Sequence, residues 1–249
     1  MAARKKAQKK QAKKKAAKKK KAARKKRAKP RGYRARRYTR DERLRAARVL
    51  QRLEETYRRA ECALDHRNAF ELTAATILSA QCTDERVNMV TPELFDRWPT
   101  PAALARADLA EIEDVIHSTG FFRNKAKNLQ GMAERVETVY GGEIPQDMED
   151  LLTLPGVARK TANVVRGVVW GLADGVVVDT HVKRISGLLG WTKRADPVQI
   201  ERDLMALHPQ ESWIGLSHRL ILHGRQICIA RRPRCDECPL AMDCPSATT

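Results

Sequence analysis

Two short stretches carry residue types at spacings that suggest chemistry. In LPGVARKTANVV, residues 154–165, Pro155 and Gly156 stop one element and an apolar periodic run begins near Val157. Arg159 and Lys160 then fall in the first turn of a helix, where unsatisfied N–H groups already amount to a partial positive charge. A lysine there sits where the backbone repels its proton. The segment alone favours a plain explanation, a solvated helix lysine or a phosphate contact. The second stretch is CIARRPRCDECPLAMDC, which places Cys228, Cys235, Cys238 and Cys244 with six, two and five residues between them. Four clustered thiols suggest a metal site more than a disulfide pair. Zinc is the more frequent tenant of such a set, and iron–sulfur clusters use the same four thiolates. Cys62 and Cys82 stand alone on apolar helical segments and read as small buried hydrophobes.

The elements that must position these residues are helical throughout. DERLRAARVLQRLEETYRRA has Leu44, Ala47, Val49, Leu50 and Leu53 at helical spacing, and NAFELTAATILSAQ reads as a more thoroughly buried helix. Thr91-Pro92, Pro99, Pro101, Gly120, Gly141-Gly142, Pro145, Pro155-Gly156 and Pro197 punctuate the rest into segments of helix-plus-loop length. Val176–Val178 is the one strand candidate and reads equally as an extended connector. Asp179 follows it and precedes a helical segment, so on its own it is an ordinary N-cap. The fold class is all-α.

Charge is distributed very unevenly. Residues 1–40 hold 22 of the 49 Lys and Arg and no acid, which leaves 27 basic against 30 acidic residues from Asp41 onward. The net charge of +19 therefore belongs to the Ala/Lys-rich tail, and the rest must bind any nucleic acid through its sites. The tail has no apolar stripe to bury and reads as disordered alone and attracted to phosphates. It also has no apolar core of the secretory kind, and no stretch approaches a membrane span. The expectation is a soluble, intracellular protein.

LPGVARKTANVV, VDTHVKRISGLLG and HRLILHGRQICIARRPRCDECPLAMDC together resemble the endonuclease III family, the helix-hairpin-helix DNA glycosylases with a C-terminal cluster. ATILSAQCTDERVN and STGFFRNKAKN extend the likeness over roughly residues 42–245. The resemblance implies two α-helical domains. One is a six-helix barrel over 62–172 that includes a hairpin at 150–170. The other is a cluster domain built from 41–61 and 173–249. It also implies that the four cysteines hold a 4Fe–4S cluster rather than zinc.

The same likeness makes Lys160 the amine nucleophile. An ammonium has no lone pair, so the repelled proton gains a purpose. Asp179 becomes the catalytic carboxylate, which helps move a proton and stabilises positive charge on the sugar. His181 keeps a structural role. Backbone N–H groups at Gly156 and Ala158 and the residues after them, with Arg159, are expected to hold a DNA phosphate. The family usually reads Gly-Val-Gly here, so the Ala158 methyl crowds the phosphate or demands a negative φ. Gln81 is implied as the polar plug that fills the gap left by an extruded nucleotide, and Phe121 as the apolar wedge, with Phe122 its rival. Arg231, Arg232 and Arg234 form a basic loop read as a second phosphate contact or as a solvated charge run.

The implied enzyme is a monomer that acts on double-stranded DNA with a damaged base. It removes oxidised pyrimidines and cuts the abasic strand by β-elimination through a lysine Schiff base. Its implied location is cytoplasmic and nucleoid-associated, or nuclear in a eukaryote. A monofunctional mismatch glycosylase on the same scaffold is disfavoured because such relatives generally lack a lysine at position 160. A non-enzymatic DNA binder working through its tail is the remaining alternative. Deleting residues 1–40 separates it from an enzyme: lesion cleavage should survive and only salt-sensitive affinity should drop. If about ten tail cations contact phosphates, log K in the intact chain should fall against log salt with a slope near −9, which the deletion should flatten.

Overall fold

The computed structural model describes residues 35–248, so the basic run through residue 34 lies outside it. Thr39 opens the first helix, α1 (Arg40–Thr56), through a reciprocal capping box. Its hydroxyl accepts from Glu42 N at 3.2 Å, and the Glu42 carboxylate accepts from Thr39 N at 2.8 Å. Ten further α-helices follow among the described residues: α2 (Ala69–Leu78), α3 (Asp84–Arg97), α4 (Pro101–Ala105), α5 (Leu109–Val115), α6 (Phe122–Tyr140), α7 (Met148–Leu151), α8 (Arg159–Trp170), α9 (Thr180–Leu188), α10 (Pro197–Leu207) and α11 (Trp213–Gln226). Asn68, Thr83, Thr100, Asp108, Asp147, Asp179 and Asp196 cap seven of these with side-chain oxygens. The protein is all-α, and Val176–Val178 is a connector without strand pairing.

Apolar side chains gather into two clusters. The first runs from Leu64 to Val165 and draws on α2 through α8. The second joins α1 (Ala46, Val49, Leu50, Leu53) to residues between Val176 and Leu240. On α1 the buried stripe runs through Ala46, while Leu44 and Ala47 are exposed, which shifts the expected face by a residue. Three arginines of α1 reach across to the C-terminal end. Arg48 pairs with the Asp243 carboxylate at 2.7 Å, Arg52 stands 3.4 Å from it, and Arg45 donates to the Leu189 and Asp243 carbonyls. Asp243, next to Cys244, is thereby fixed to the start of the fold.

Two expectations need correction. Thr91-Pro92 does not break the chain: α3 continues through Pro92. The cost of a proline inside a helix, about 3 kcal/mol, is offset by burial of Val87, Val90, Leu94 and Phe95 on both sides of it. The last residues assigned to the tail are also held. Arg36 N donates to Asp203 Oδ1 at 3.0 Å, Arg36 Nη1 to the Gly190 carbonyl at 2.7 Å, and the Tyr38 hydroxyl to the Trp191 carbonyl at 2.6 Å. A truncation meant to remove only the tail therefore has to stop before Arg36. No helix among the described residues is long and apolar enough to cross a membrane.

His208 gives the second core a sensitivity to acid. It is buried against the Trp191 ring, its Nε2 has no hydrogen-bond partner, and burial pushes its pKa down to about 4. An unfolded histidine takes its proton near pH 6.5, so the unfolded chain binds more protons between that value and about 4. The stability contribution is complete above this window and is lost as pH falls through it. Denaturant titrations should show unfolding free energy falling across the window by up to about 1.4 kcal/mol per pH unit. His208→Met should flatten the fall, and an equal slope in both proteins would refute this account.

Candidate active site and DNA interface

The turn between α7 and α8 forms the hairpin. Gly156 sits at φ +76°, where a Cβ would lie 2.9 Å from the Asn128 Cβ, so both conformation and space demand glycine. Ala158, the next position but one, has φ −94° and ψ 172°, extended backbone that alanine adopts freely. Its methyl therefore imposes no strain. Ala158 also supplies no capping side chain, in contrast to the seven helices capped above. The first N–H groups of α8 thus lack a side-chain acceptor and point outward at a site suited to a phosphate oxygen.

Lys160 and Asp179 line one cavity of about 150 Å³. Lys160 comes from α8, whose buried face packs into the first core, and Asp179 from the connector that belongs to the second. Asp179 is the N-cap of α9, with Oδ1 accepting from Val182 N at 2.8 Å. The cap, worth about 1 kcal/mol, therefore coexists with a place beside the lysine. Lys160 is exposed in the first turn of α8. Arg159, the neighbouring cation, has its Nε 3.6 Å from Glu201 Oε2, an ion pair with a nearly buried carboxylate. Arg225 pairs with Asp84 at 2.7 Å at the border of the same cavity and ties α11 to α3.

Gln81 and Phe121 share an unusual backbone state. They are the only non-glycine residues at positive φ among those described, at +54° and +49°. Such a conformation costs a side-chain-bearing residue about 1–3 kcal/mol and concentrates at functional sites. Both are exposed, Phe121 by 64%. Phe122, its rival, is half-buried and stacks on His117 with centroids 4.4 Å apart. Buried Lys125 donates to the Thr119 carbonyl at 2.8 Å just ahead of the Gly120-Phe121 bend. His181 is packed against the Gly224 backbone, where a Cβ would fall 2.5 Å from its ring, but its buried Nδ1 has no hydrogen-bond partner. The structural histidine expected to be satisfied thus has an unpaired ring nitrogen, and burial lowers its pKa.

Cys228, Cys235, Cys238 and Cys244 line a second cavity, about 90 Å³, with apolar walls from Ile185 and Leu240. Arg184 donates to the Cys228 sulfur at 3.3 Å and to its carbonyl at 2.6 Å. Burial pushes the Cys238 and Cys244 thiols up, and the neighbouring thiols push the same way. Four thiolates here need a cationic body to hold them together. The four sulfurs line one cavity, as the ligand set of an iron–sulfur cluster requires. In the intervening loop Arg231 and Arg232 are exposed, whereas Arg234 is turned back onto the Gln226 carbonyl and Glu237.

Comparison with known proteins agrees with this geometry. Residues 74–210 match the model of the HhH-GPD superfamily of base excision DNA repair proteins, and residues 228–244 match the iron–sulfur binding domain of endonuclease III. The fold and site therefore define a helix-hairpin-helix base excision repair protein with an iron–sulfur cluster. Endonuclease III of Synechocystis sp. is 59% identical over 203 residues, covering 82% of this chain and 93% of the relative. Two solved structures, a non-covalent endonuclease III–DNA complex and a trapped endonuclease III–DNA covalent intermediate, each superpose with a TM-score of 0.78. Each is 41% identical and covers 82% of this chain and 96% of its own. The chain belongs to the endonuclease III family.

Sequence reading did not single out Asn163, Glu201, Arg184 or Arg225. Asn163, Arg184 and Arg225 lie inside the diagnostic motifs, but only the folded chain shows what their side chains reach. Phe121→Gly offers a direct check on the wedge. Relief of the left-handed strain should raise stability by about 1 kcal/mol. Excision from duplex DNA should meanwhile fall by about tenfold, because the stack then loses its apolar wedge. A loss of stability, or excision at the normal rate, would remove Phe121 from that role.

Proposed function

We infer that the protein removes oxidised pyrimidines from double-stranded DNA and then cuts the abasic strand, with Lys160 as nucleophile and Asp179 as its carboxylate partner. The observation that carries this reading is their shared cavity beside an uncapped helix start. The deprotonated amine of Lys160 attacks C1′, and the damaged base leaves with the electron pair of the glycosidic bond. The sugar ring opens to give an iminium on Nζ. Loss of a C2′ proton then expels the C3′ oxygen with its phosphate, which breaks the strand on the 3′ side. Asp179 accepts or relays the protons released from the amine and stabilises positive charge developing on the sugar.

The remaining residues take supporting parts. Gly156, Ala158 and Arg159 hold a backbone phosphate at the start of α8, and Gln81 and Phe121 occupy the space left by the extruded nucleotide. Cys228, Cys235, Cys238 and Cys244 hold a 4Fe–4S cluster that cross-links residues 228–244 and presents Arg231 and Arg232 to the duplex. Arg234 is spent within the loop and stiffens it. We read the two apolar cores as the barrel domain, 62–172, and the cluster domain, 41–61 with 173–249. The site of action is the cytoplasm, on chromosomal DNA.

Borohydride reduces an iminium to a stable amine, so turnover in its presence should leave a covalent protein–DNA adduct. Lys160→Ala should give no adduct, should lose both base removal and strand cleavage on thymine glycol duplexes, and should still bind them. Peptide mapping that places the sugar on another residue, or β-elimination retained by the variant, would overturn the assignment.

A further inference from the structure

Asn163 lies three residues beyond Lys160 and therefore on the same side of α8. It is 6% exposed. Its Nδ2 donates to Glu201 Oε1 at 3.0 Å. A carboxylate accepts and does not donate, so this bond settles which way the amide faces. The other end, Oδ1, is buried with no hydrogen-bond partner. Leaving such an oxygen unpaired costs about 1–3 kcal/mol, so it calls for a donor that arrives later.

Lys160 is the candidate donor. Lys160 and Asn163 both border the 150 Å³ cavity with Asp179 and a smaller one, about 70 Å³, with Arg159 and Glu201. Among the described residues Lys160 is the one cationic side chain that borders both. Glu201 is 7% exposed and anchored by Arg159. Burial pushes its carboxyl up and Arg159 pulls it back down. The connector leading to Asp179 presses on the same pair: a Cβ on Gly175 would lie 1.9 Å from Glu201 Oε1 and 3.0 Å from Asn163 Nδ2.

We propose that Asn163, locked by Glu201, is the positioning residue for the nucleophile: its Oδ1 accepts one N–H of the Lys160 amine and leaves the lone pair facing the sugar carbon. This rests on the reading of Lys160 as nucleophile. The acceptor is neutral, so it orients the amine without adding a charge that would hold the proton on. Glu201 supplies the rigidity from the second core, and its close contact with Gly175 sets the distance between the lysine helix and the Asp179 connector. Other titratable groups on the larger cavity are Glu61, Cys62, Asp84, Asp179, His218 and Arg225.

Reversing the polarity of the pair tests this in the full-length, cluster-loaded protein. In the double variant Asn163→Asp/Glu201→Gln, the glutamine amide donates to the new carboxylate and the fold is retained. The second carboxylate oxygen then faces Lys160 and holds its proton. Borohydride trapping on an abasic duplex, followed against pH, should need a pH higher by about one unit or more. Asn163→Ala should trap about 10- to 100-fold more slowly, while affinity for an uncleavable abasic analogue stays within about threefold. A double variant with the wild-type pH profile, or Asn163→Ala trapping at the wild-type rate, would overturn the proposal. Lys160→Ala is run alongside: an adduct in that protein would sink the nucleophile assignment itself, which is a separate failure.

Discussion

The site depends on holding a cation and a carboxylate from two different apolar cores at one cavity. Lys160 rides on α8, whose buried face is part of the first core, and Asp179 caps α9, which is packed into the second. Neither core holds both groups. Their spacing is set by polar contacts across the seam: Asn163 with Glu201, Arg159 with Glu201, and Arg225 with Asp84. Such contacts are directional, whereas apolar packing alone would let the two halves slide. The cavity is consequently lined by residues from both sides, with Lys160 and Asp179 where they meet.

Duplex binding by the folded region does not rest on bulk charge, since acids slightly outnumber bases beyond residue 40. On the proposed reading it rests on fixed groups at chosen points. The start of α8 offers N–H groups without a side-chain acceptor, and the cysteine-bounded loop offers Arg231 and Arg232. Gln81 and Phe121 already hold strained backbone states before any nucleic acid arrives. Local strain of this kind persists only because the surrounding structure over-determines it, and the hydrogen bond from Lys125 to Thr119 beside Phe121 is part of that restraint.

Much of this was legible in the sequence because the signals are local. The glycine turn before Lys160, the cap position of Asp179 and the cysteine spacing each lie within a few residues, and the helical period is plain from Asp41 onward. What escaped was non-local. Glu201 is 38 residues from Asn163, and Arg225 is 141 from Asp84, so no spacing rule joins them. Pro92 misled because an apolar environment on both sides overrides a local breaker. The end of the tail misled for a related reason: Arg36 looks like one more base in a run, and only its contacts with Asp203 and Gly190 distinguish it. The left-handed state of Phe121 has no sequence signal, because residues with side chains rarely adopt it.

The clasp between α1 and the C-terminal cysteine loop bears on how the chain is made. Arg48 and Asp243 are 195 positions apart, so the second core cannot close until the ribosome has released nearly the whole polypeptide. The first core draws on residues 64–165 and has all its parts much earlier. Synthesis therefore orders assembly, with one half folding during translation. The four thiols that hold iron lie in the same last segment, so cluster loading cannot precede its synthesis.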